Sequence, residues 1–357
     1  MSHRRLFIPG PTEVAPDVLA AMARPMIGHR GSEFSALYRS VTGKLARLLE
    51  TKRPVYLATG SATLVMEAAL RNGVARRCLS LVNGAFSERW HGIAKECGLE
   101  CDAQNAEWGK ANDPAALDQA LATGKYDAVT VVHSETSTGV LNPLEAIARV
   151  VRKYDDVLLL VDAVSVMAAK RIPFDELGLD VVLAGIQKAF ACPPGLVVFA
   201  ASERAMARSR VVKNKGHYMD FLAYDASHAK GETVTTPAIS QMYALDLSMD
   251  KLAAEGFDRV YARHAEMSGI GTAWAKDRLA LFPDPAHVTP TLTCAKVPDG
   301  FDMAGLMTHM KGKGVELGGG YGKLKSSTFR VAHMGIATPA ILNEVLGWID
   351  EFLRKKK

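Results

Sequence analysis

The segment DVVLAGIQKAFACPPGLVVF, residues 180–199, contains the feature that decides the fold. Two apolar runs, VVLAG (181–185) and GLVVF (195–199), indicate buried strands, and Lys188 lies in the loop between them. Two prolines stiffen that loop, so the side chain cannot swing freely into solvent. Because removing an ammonium group from water is costly, this lysine is either paired with a carboxylate or is a nucleophilic amine.

The composition is that of an ordinary globular protein. The chain has 357 residues, 48% of them hydrophobic and 23% charged, with a net charge of +5, and this length suggests about two domains. The basic run RKKK (354–357) has no aromatic residues beside it, so we expect a solvated end and no nucleic-acid partner. No apolar run approaches the roughly 18 residues that span a bilayer, and MSHRRLFIPG does not resemble a secretory signal, so we expect no membrane partner.

The five cysteines indicate a reducing compartment. Their number is odd, no C-x-x-C pair occurs, and Cys97 and Cys101 are not followed by a second pair at the spacing of a zinc site. We therefore expect a cytoplasmic location and no metal.

Apolar runs alternate with helical patterns over the first two thirds of the chain. Strands are predicted at 55–60, 78–84, 127–133, 157–165, 180–185 and 195–201, and helices at 61–73, at 87–98, from 143 and from 202. Strands this uniformly apolar are buried on both faces, and intervening helices favour parallel pairing. The pattern predicts an α/β domain with a mostly parallel central sheet.

The remainder of the chain has a different pattern. Residues 213–256 are rich in aromatic, glycine and threonine residues and are expected to be irregular. Helical and strand-like segments alternate from 257 onward. We therefore predict a large domain over 1–256 and a smaller α+β domain over 257–357.

Polar residues follow two of the predicted strands. Asp162 ends the most apolar strand, LLLVD, and Lys188 follows the next one. In open parallel sheets, ligands bind beyond the carboxyl ends of the strands. Asp162 could be a helix cap or the partner of a structural lysine. It could also pair with the ring nitrogen of pyridoxal 5'-phosphate (PLP), with Lys188 as the Schiff-base amine.

A strand, a Gly-Ser turn and a helix occupy residues 58–70. The free N–H groups of a helix N-terminus form an anion site, so a phosphate would fit against Gly60, Ser61 and Ala62. A serine cap after a glycine is also common where no ligand binds. GGGYGKLK (318–325) resembles a P-loop, but leucines stand where the motif requires its first glycine and its Ser/Thr, and no G-x-G-x-x-G follows a strand.

The motifs together resemble the class V aminotransferases of the PLP fold-type I superfamily, closest to the alanine–glyoxylate and serine–glyoxylate (serine–pyruvate) enzymes. The resemblance covers nearly the whole chain. It is carried by IPGPTEVAPDVLAAM (8–22), GHRGSEF (28–34), TGSAT (59–63), NGAF (83–86), HSETSTGVLNPL (133–144), LLLVDAVS (158–165), GIQKAFACPPGL (185–196), TTPAISQMYAL (235–245) and FRVAHMG (329–335).

The resemblance implies a role for each matching residue. Lys188 would form the Schiff base and Asp162 would pair with the pyridinium nitrogen, as the two catalytic residues. The remaining cofactor contacts implied are Gly60, Ser61, Ala62 and Gln187 at the phosphate, Phe86 on the ring, Thr136 near the phenolic oxygen, and Thr236 reaching the phosphate from the partner subunit of a homodimer. Arg330 would clamp the substrate α-carboxylate and Gly10 would line the substrate pocket.

The implied reaction moves the amino group of serine or alanine to glyoxylate or pyruvate, so the partners are a small amino acid and a 2-oxo acid. One alternative is a phosphoserine aminotransferase, with a phosphate pocket drawn from Lys213, Lys215, His217, Lys323 and Lys325. A second is a PLP-bound regulatory protein without turnover. Cys192 could suggest a cysteine desulfurase, although packing is the simpler interpretation.

A role at the active site stays open for His29 and Arg30, which could equally have a structural function in an entry loop. His217 and His228 could suggest a metal site, but no carboxylate at helical spacing supports one.

Overall fold

The computed structural model describes residues 3–355, so the last two lysines of the predicted solvated end lie outside the described residues. The strands are β1 (Arg5–Phe7), β2 (Val55–Thr59), β3 (Cys78–Val82), β4 (Cys101–Asn105), β5 (Ala128–Val132), β6 (Ser134–Glu135), β7 (Val140–Leu141), β8 (Leu158–Asp162), β9 (Val181–Gly185), β10 (Leu196–Ala201), β11 (Ala280–Leu281), β12 (Leu292–Lys296), β13 (Val315–Gly319) and β14 (Thr328–Ala332).

The helices are α1 (Pro16–Ala21), α2 (Ser32–Leu48), α3 (Ala62–Gly73), α4 (Ala85–Glu96), α5 (Pro114–Leu121), α6 (Leu144–Val151), α7 (Phe174–Leu177), α8 (Glu203–Val211), α9 (Phe221–Ala229), α10 (Ile239–Glu255), α11 (Phe257–Arg278), α12 (Met303–Gly312) and α13 (Pro339–Arg354). No helix within residues 3–355 is both long enough and apolar enough to cross a membrane.

The central sheet has seven strands in the order β2-β10-β9-β8-β5-β3-β4. The five strands from β9 to β4 pair in parallel, which confirms the mostly parallel α/β sheet. β10 is the exception, because it pairs antiparallel with both β9 and β2. A parallel return needs a crossover of a dozen or more residues, and the loop that holds Lys188 is too short for one.

Both faces of this sheet are buried, as the apolar strands predicted. Leu159 and Val161 of β8 pack on the side that holds α2, α6 and α10, whereas Leu158 and Leu160 pack on the side that holds α3, α4 and α8. Alternate residues of one strand thus enter two separate cores. The site residues that follow these strands are therefore anchored on rigid elements.

A second sheet has five strands in the order β1-β13-β14-β12-β11, and apolar residues of α11, α12 and α13 form a core with it. β1 runs parallel to β13, so the N-terminal strand joins the sheet made by the C-terminal part of the chain. The division at residue 256 stays a prediction, and β1 shows that the N-terminal segment connects both sheets.

The prediction of irregular structure over 213–256 is wrong for most of that segment. Asp220 caps α9 by accepting a hydrogen bond from the Leu222 N–H at 3.0 Å. In α10, apolar residues at helical spacing, including Met242, Leu245 and Met249, are fully buried. The aromatic, glycine and threonine content concealed that periodicity.

Candidate active site

A cavity of about 380 Å³ lies beyond the carboxyl ends of β5, β8 and β9. Eight of the predicted site residues line it: Gly10, Ser61, Ala62, Phe86, Thr136, Asp162, Gln187 and Lys188. They come from six separate segments of the chain. The structure therefore gathers most of the predicted site at the sheet edge where ligands of α/β proteins bind.

Lys188 is buried at the cavity wall, and its Nζ donates a hydrogen bond to the Pro9 carbonyl. Burial lowers the pKa of Lys188 to about 8; the positive charge of Arg330 acts in the same direction and Asp162 opposes it. An amine with this pKa is partly neutral near neutral pH. It can therefore act as a nucleophile and as a proton acceptor.

Asp162 ends β8 and is also buried, with one oxygen accepting a hydrogen bond from the Val164 N–H at 2.7 Å. Burial raises the pKa of the Asp162 carboxyl to about 7; the Val164 N–H opposes this shift, Glu135 adds to it and Lys188 opposes it. Among the described residues, no salt bridge reaches this carboxylate within 4 Å. A buried carboxylate without an ion pair favours a ligand that brings a positive charge.

The N-terminus of α3 opens into the same cavity. Ser61 is the N-cap, but its side chain makes no capping hydrogen bond, and Ala62 and Thr63 also line the cavity. Gly60 holds the turn with φ of +152°, and its N–H donates to the Gly195 carbonyl at 3.0 Å. The first-turn N–H groups and the helix dipole therefore favour an anion at this place.

Glu135 holds the part of the wall that contains Phe86 and Thr136. Its buried carboxylate accepts from the N–H groups of Phe86 at 3.3 Å and Ser87 at 3.0 Å, and from the Ser87 hydroxyl at 3.0 Å. The Ser137 N–H and hydroxyl donate to the same group at 3.2 and 2.6 Å. Five donors thus fix the start of α4 to the loop after β5.

Arg330 lies on β14, on the side of the site formed by the second sheet, and is buried. Its Nε and Nη2 donate to the Gly319 carbonyl at 2.9 and 2.7 Å, and Nη1 donates to the Thr136 carbonyl at 3.2 Å. Of its five N–H donors, two remain for a ligand. Arg330 itself does not line the cavity, so binding of a substrate carboxylate stays a prediction.

The N-terminal loop closes the cavity over Lys188. The Thr12 hydroxyl donates to the Lys188 carbonyl at 2.9 Å and its N–H donates to the Gln187 carbonyl at 3.1 Å. Gly10 has φ of +109°, and a Cβ placed there would lie 2.7 Å from Lys188 Nζ. Only glycine allows so close an approach of this loop to the lysine.

Several predicted residues lie elsewhere. Thr236 is exposed in the loop before α10 and does not line the cavity; its predicted action from a partner subunit stays a prediction. Arg30 pairs with Glu232 at 2.5 Å.

Burial raises the pKa of Cys192 to about 12, and its thiol contacts the Phe190 carbonyl, so this cysteine packs in the interior.

The proposed phosphate pocket does not form around this cavity. None of Lys213, Lys215, His217, Lys323 and Lys325 lines it in the described chain. Lys215 pairs with Asp220 at 3.0 Å and Lys323 lies 3.4 Å from Glu88.

Sequence reasoning missed three residues of the site: Glu135, Arg89 and Tyr321. Tyr321 follows β13 and stacks on Phe86, with ring centroids 5.4 Å apart and an interplanar angle of 18°. Arg89 lies 5.0 Å above the Phe86 ring and donates to the Tyr321 hydroxyl at 2.9 Å. The three-residue spacing of Phe86 and Arg89 on one helix face could have identified Arg89. No comparable signal identifies Tyr321.

The donor set fits PLP. An unpaired buried carboxylate (Asp162) suits a protonated ring nitrogen, the amine of Lys188 suits the aldehyde, and the N-terminus of α3 suits the phosphate. Phe86 supplies an aromatic face in the same cavity. Each group is the chemical counterpart of one part of the cofactor.

Comparison with known proteins identifies the family. The model of the class V aminotransferases matches residues 7–321. An uncharacterized aminotransferase of Methanocaldococcus jannaschii is 36% identical over 340 residues, 93% of this chain and 88% of that protein. The serine–glyoxylate aminotransferase of Methylorubrum extorquens is 30% identical, with 93% and 87% covered. The structure of an aspartate aminotransferase of subgroup IV from Thermus thermophilus has a TM-score of 0.91 at 30% identity, covering 98% and 99% of the two chains.

These matches span almost the whole chain and agree with the PLP-compatible donor set at the sheet edge. The fold-type I architecture and the enzyme class predicted from the sequence are confirmed. This chain belongs to the class V aminotransferase family and is a PLP-dependent transaminase.

Proposed function

We propose that the protein transfers the amino group of a small L-amino acid, serine or alanine, to glyoxylate or pyruvate, with Lys188 as the Schiff-base residue. The observation that carries this proposal is that one cavity holds both a buried amine, whose pKa is lowered to about 8, and a buried carboxylate that makes no ion pair. The serine–glyoxylate enzyme of Methylorubrum extorquens supports this choice of substrates.

Asp162 and Lys188 divide the acid–base work. When bound, PLP supplies the electron sink, and Asp162 keeps its ring nitrogen protonated. The Lys188 amine would accept the proton from the substrate Cα and would later donate it, so that one side chain serves first as the base and then as the acid. A pKa of about 8 suits both directions, because the amine is neither fully charged nor a poor acid near neutral pH.

Arg330 orients the substrate. The guanidinium is fixed by the carbonyls of Gly319 and Thr136, one from each side of the site, and its two remaining N–H donors suit a carboxylate. Holding the α-carboxylate would fix the Cα–H bond relative to the cavity and to Lys188. The Gly10 loop would exclude water and limit the size of the donor side chain.

Phosphoserine is the less favoured donor. A phosphate dianion is usually held by several cations, and the five basic residues that the sequence suggested are outside the cavity lining, two of them in ion pairs. A binding protein without turnover is also disfavoured, because Lys188 and Asp162 lie in one cavity and the chain belongs to a family of aminotransferases.

We further propose a cytoplasmic homodimer in which Thr236 of each subunit reaches the cofactor phosphate of the other. The exposed position of Thr236 leaves it accessible to a second subunit. Light scattering gives the mass, and Thr236→Ala should weaken PLP binding while a dimer persists. A monomer that binds PLP with full affinity would contradict this arrangement.

The absorption spectrum of the PLP-loaded protein tests the activity. L-serine or L-alanine should convert the visible band to that of the pyridoxamine form, and glyoxylate or pyruvate should restore it. L-phosphoserine, added separately, tests the alternative donor. A visible band that no donor changes would contradict transamination of these substrates.

A further inference from the structure

Four side chains form a cluster at the cavity. The Cζ of Arg330 lies 5.6 Å from the centre of the Tyr321 ring. The Tyr321 ring stacks on the Phe86 ring, and the guanidinium of Arg89 lies over the Phe86 ring. Phe86, Arg89 and Tyr321 all line the cavity. Two cations therefore lie against one pair of aromatic rings, and only Arg330 has an implied role.

Arg89 is free to bind an anion. Its Nη2 donates to the Tyr321 hydroxyl at 2.9 Å, and no carboxylate of the described residues pairs with it within 4 Å. The nearest residue on the same helix with a negative charge, Glu88, lies 3.4 Å from Lys323 instead. An arginine has five N–H donors, so most of those on Arg89 remain available at the cavity wall.

We infer that Arg89, oriented by Tyr321, binds the side-chain carboxylate of a dicarboxylic amino donor such as L-aspartate. This inference rests on the proposed transaminase function and extends its donors from neutral amino acids to acidic ones. Arg330 would hold the α-carboxylate and Arg89 the second carboxylate. Both guanidinium groups contact the same Tyr321 side chain, which limits the distance that the donor has to span.

The chemistry favours a carboxylate over a phosphate. A planar guanidinium can form a bidentate pair with either anion, but a phosphate dianion would place a larger charge beside a single cation. Lys323, another cation near α4, lies 4.0 Å from the centre of the Trp108 ring and 3.4 Å from Glu88, and does not line the cavity.

The test compares donors in the PLP-loaded enzyme and in three variants. In Arg89→Gln, the ratio of kcat/KM for L-aspartate to kcat/KM for L-alanine should fall about tenfold or more, the range for loss of a hydrogen bond to a charged group. Tyr321→Phe should lower the same ratio by a smaller factor. Arg278→Gln removes an arginine of similar exposure outside the cavity and should leave the ratio unchanged.

A binding measurement gives a readout that does not depend on turnover. The absorbance of the bound cofactor is followed during titration with maleate, a four-carbon dicarboxylate, and with acetate. Arg89→Gln should raise the Kd for maleate about tenfold or more, with a smaller change for acetate. Equal changes for both anions would overturn the inference.

The outcomes separate the inference from the proposed function. If L-alanine or L-serine converts the cofactor but L-aspartate does not, the inference is wrong and the function stands. If no donor converts it, the function is wrong, and the maleate titration still decides the role of Arg89. If L-phosphoserine exceeds L-aspartate and depends on Arg89, the anion is a phosphate and the assignment to a carboxylate is wrong.

Discussion

Replacing Asp162 by asparagine should stabilise the cofactor-free protein while impairing its function. Burial raises the pKa of this carboxyl from 3.8 to about 7. A raised pKa in the folded state means that the folded protein binds the proton more tightly than the unfolded chain does. The contribution of this carboxyl to the free energy of unfolding is therefore at its full value below pH 3.8, and it is lost as the pH rises through about 7.

The size of the effect follows from the two pKa values. The full shift corresponds to about 4 kcal/mol, since one pKa unit is about 1.4 kcal/mol. Between pH 5 and pH 7 the wild type should lose about 2 kcal/mol of unfolding free energy relative to Asp162→Asn. Most other titratable groups contribute equally to both proteins and cancel in the difference; Lys188 is the exception, because the charge of Asp162 raises its pKa in the wild type.

Denaturant unfolding of the cofactor-free proteins at pH 5, 6 and 7 measures this difference. Asp127 provides a matched control, because its carboxylate is equally buried but is paired with Arg208 at 3.0 Å. Asp127→Asn should destabilise the protein, since it leaves Arg208 without that partner. If the stabilities of the wild type and Asp162→Asn change in parallel with pH, Asp162 is not an uncompensated carboxylate and the argument for a cationic ligand fails.

Four further substitutions test the remaining parts of the site. Lys188→Ala should abolish both turnover and the visible band of the PLP-loaded protein, and an active variant would refute the assignment of this lysine. Arg330→Ala should raise KM for the amino acid far more than it weakens PLP binding; an unchanged KM in steady-state assays would remove Arg330 from the substrate site. Gly10→Ala places a methyl group 2.7 Å from Lys188 Nζ, in a backbone conformation that disfavours alanine. The value of kcat should therefore fall about a hundredfold. Wild-type kinetics in this variant would show that the loop moves freely. Glu135→Gln keeps the shape of the side chain but places an amide among five donors. Thermal unfolding should therefore show a loss of about 2 kcal/mol in the free energy of unfolding. An unchanged Tm would mean that those hydrogen bonds are not essential to the fold.

The central sheet could be predicted because its strands are buried on both faces. Uniform apolar runs such as those of β8 and β9 leave few alternatives to a strand covered by helices on either side. The edge strand β4 was missed because its residues are polar and only partly buried, and β13 because it ends in two glycines. The pairing of β1 with β13 joins residues about 310 positions apart, and no local pattern encodes such a contact.

The site was predictable where a residue follows directly from its strand. Asp162 and Lys188 come at or just after the ends of β8 and β9, so the topology alone brings them to one cavity. Tyr321 could not be found in this way, because its position depends on the packing of the second sheet against α4. Glu135 was hidden for a different reason: an acidic residue beside a strand end is common, and only the five converging donors show what it does.

One cause connects the pKa shifts of Asp162 and Lys188. Removal from water raises the pKa of Asp162 to about 7 and lowers that of Lys188 to about 8, so both are driven toward their neutral forms in the same cavity. A ligand with a ring cation beside Asp162 and an aldehyde at Lys188 would remove both penalties together. PLP binding should therefore stabilise the folded protein by more than the contacts of its phosphate alone could supply. Pyridoxal without phosphate should retain part of this stabilisation in the wild type and lose most of it in Asp162→Asn.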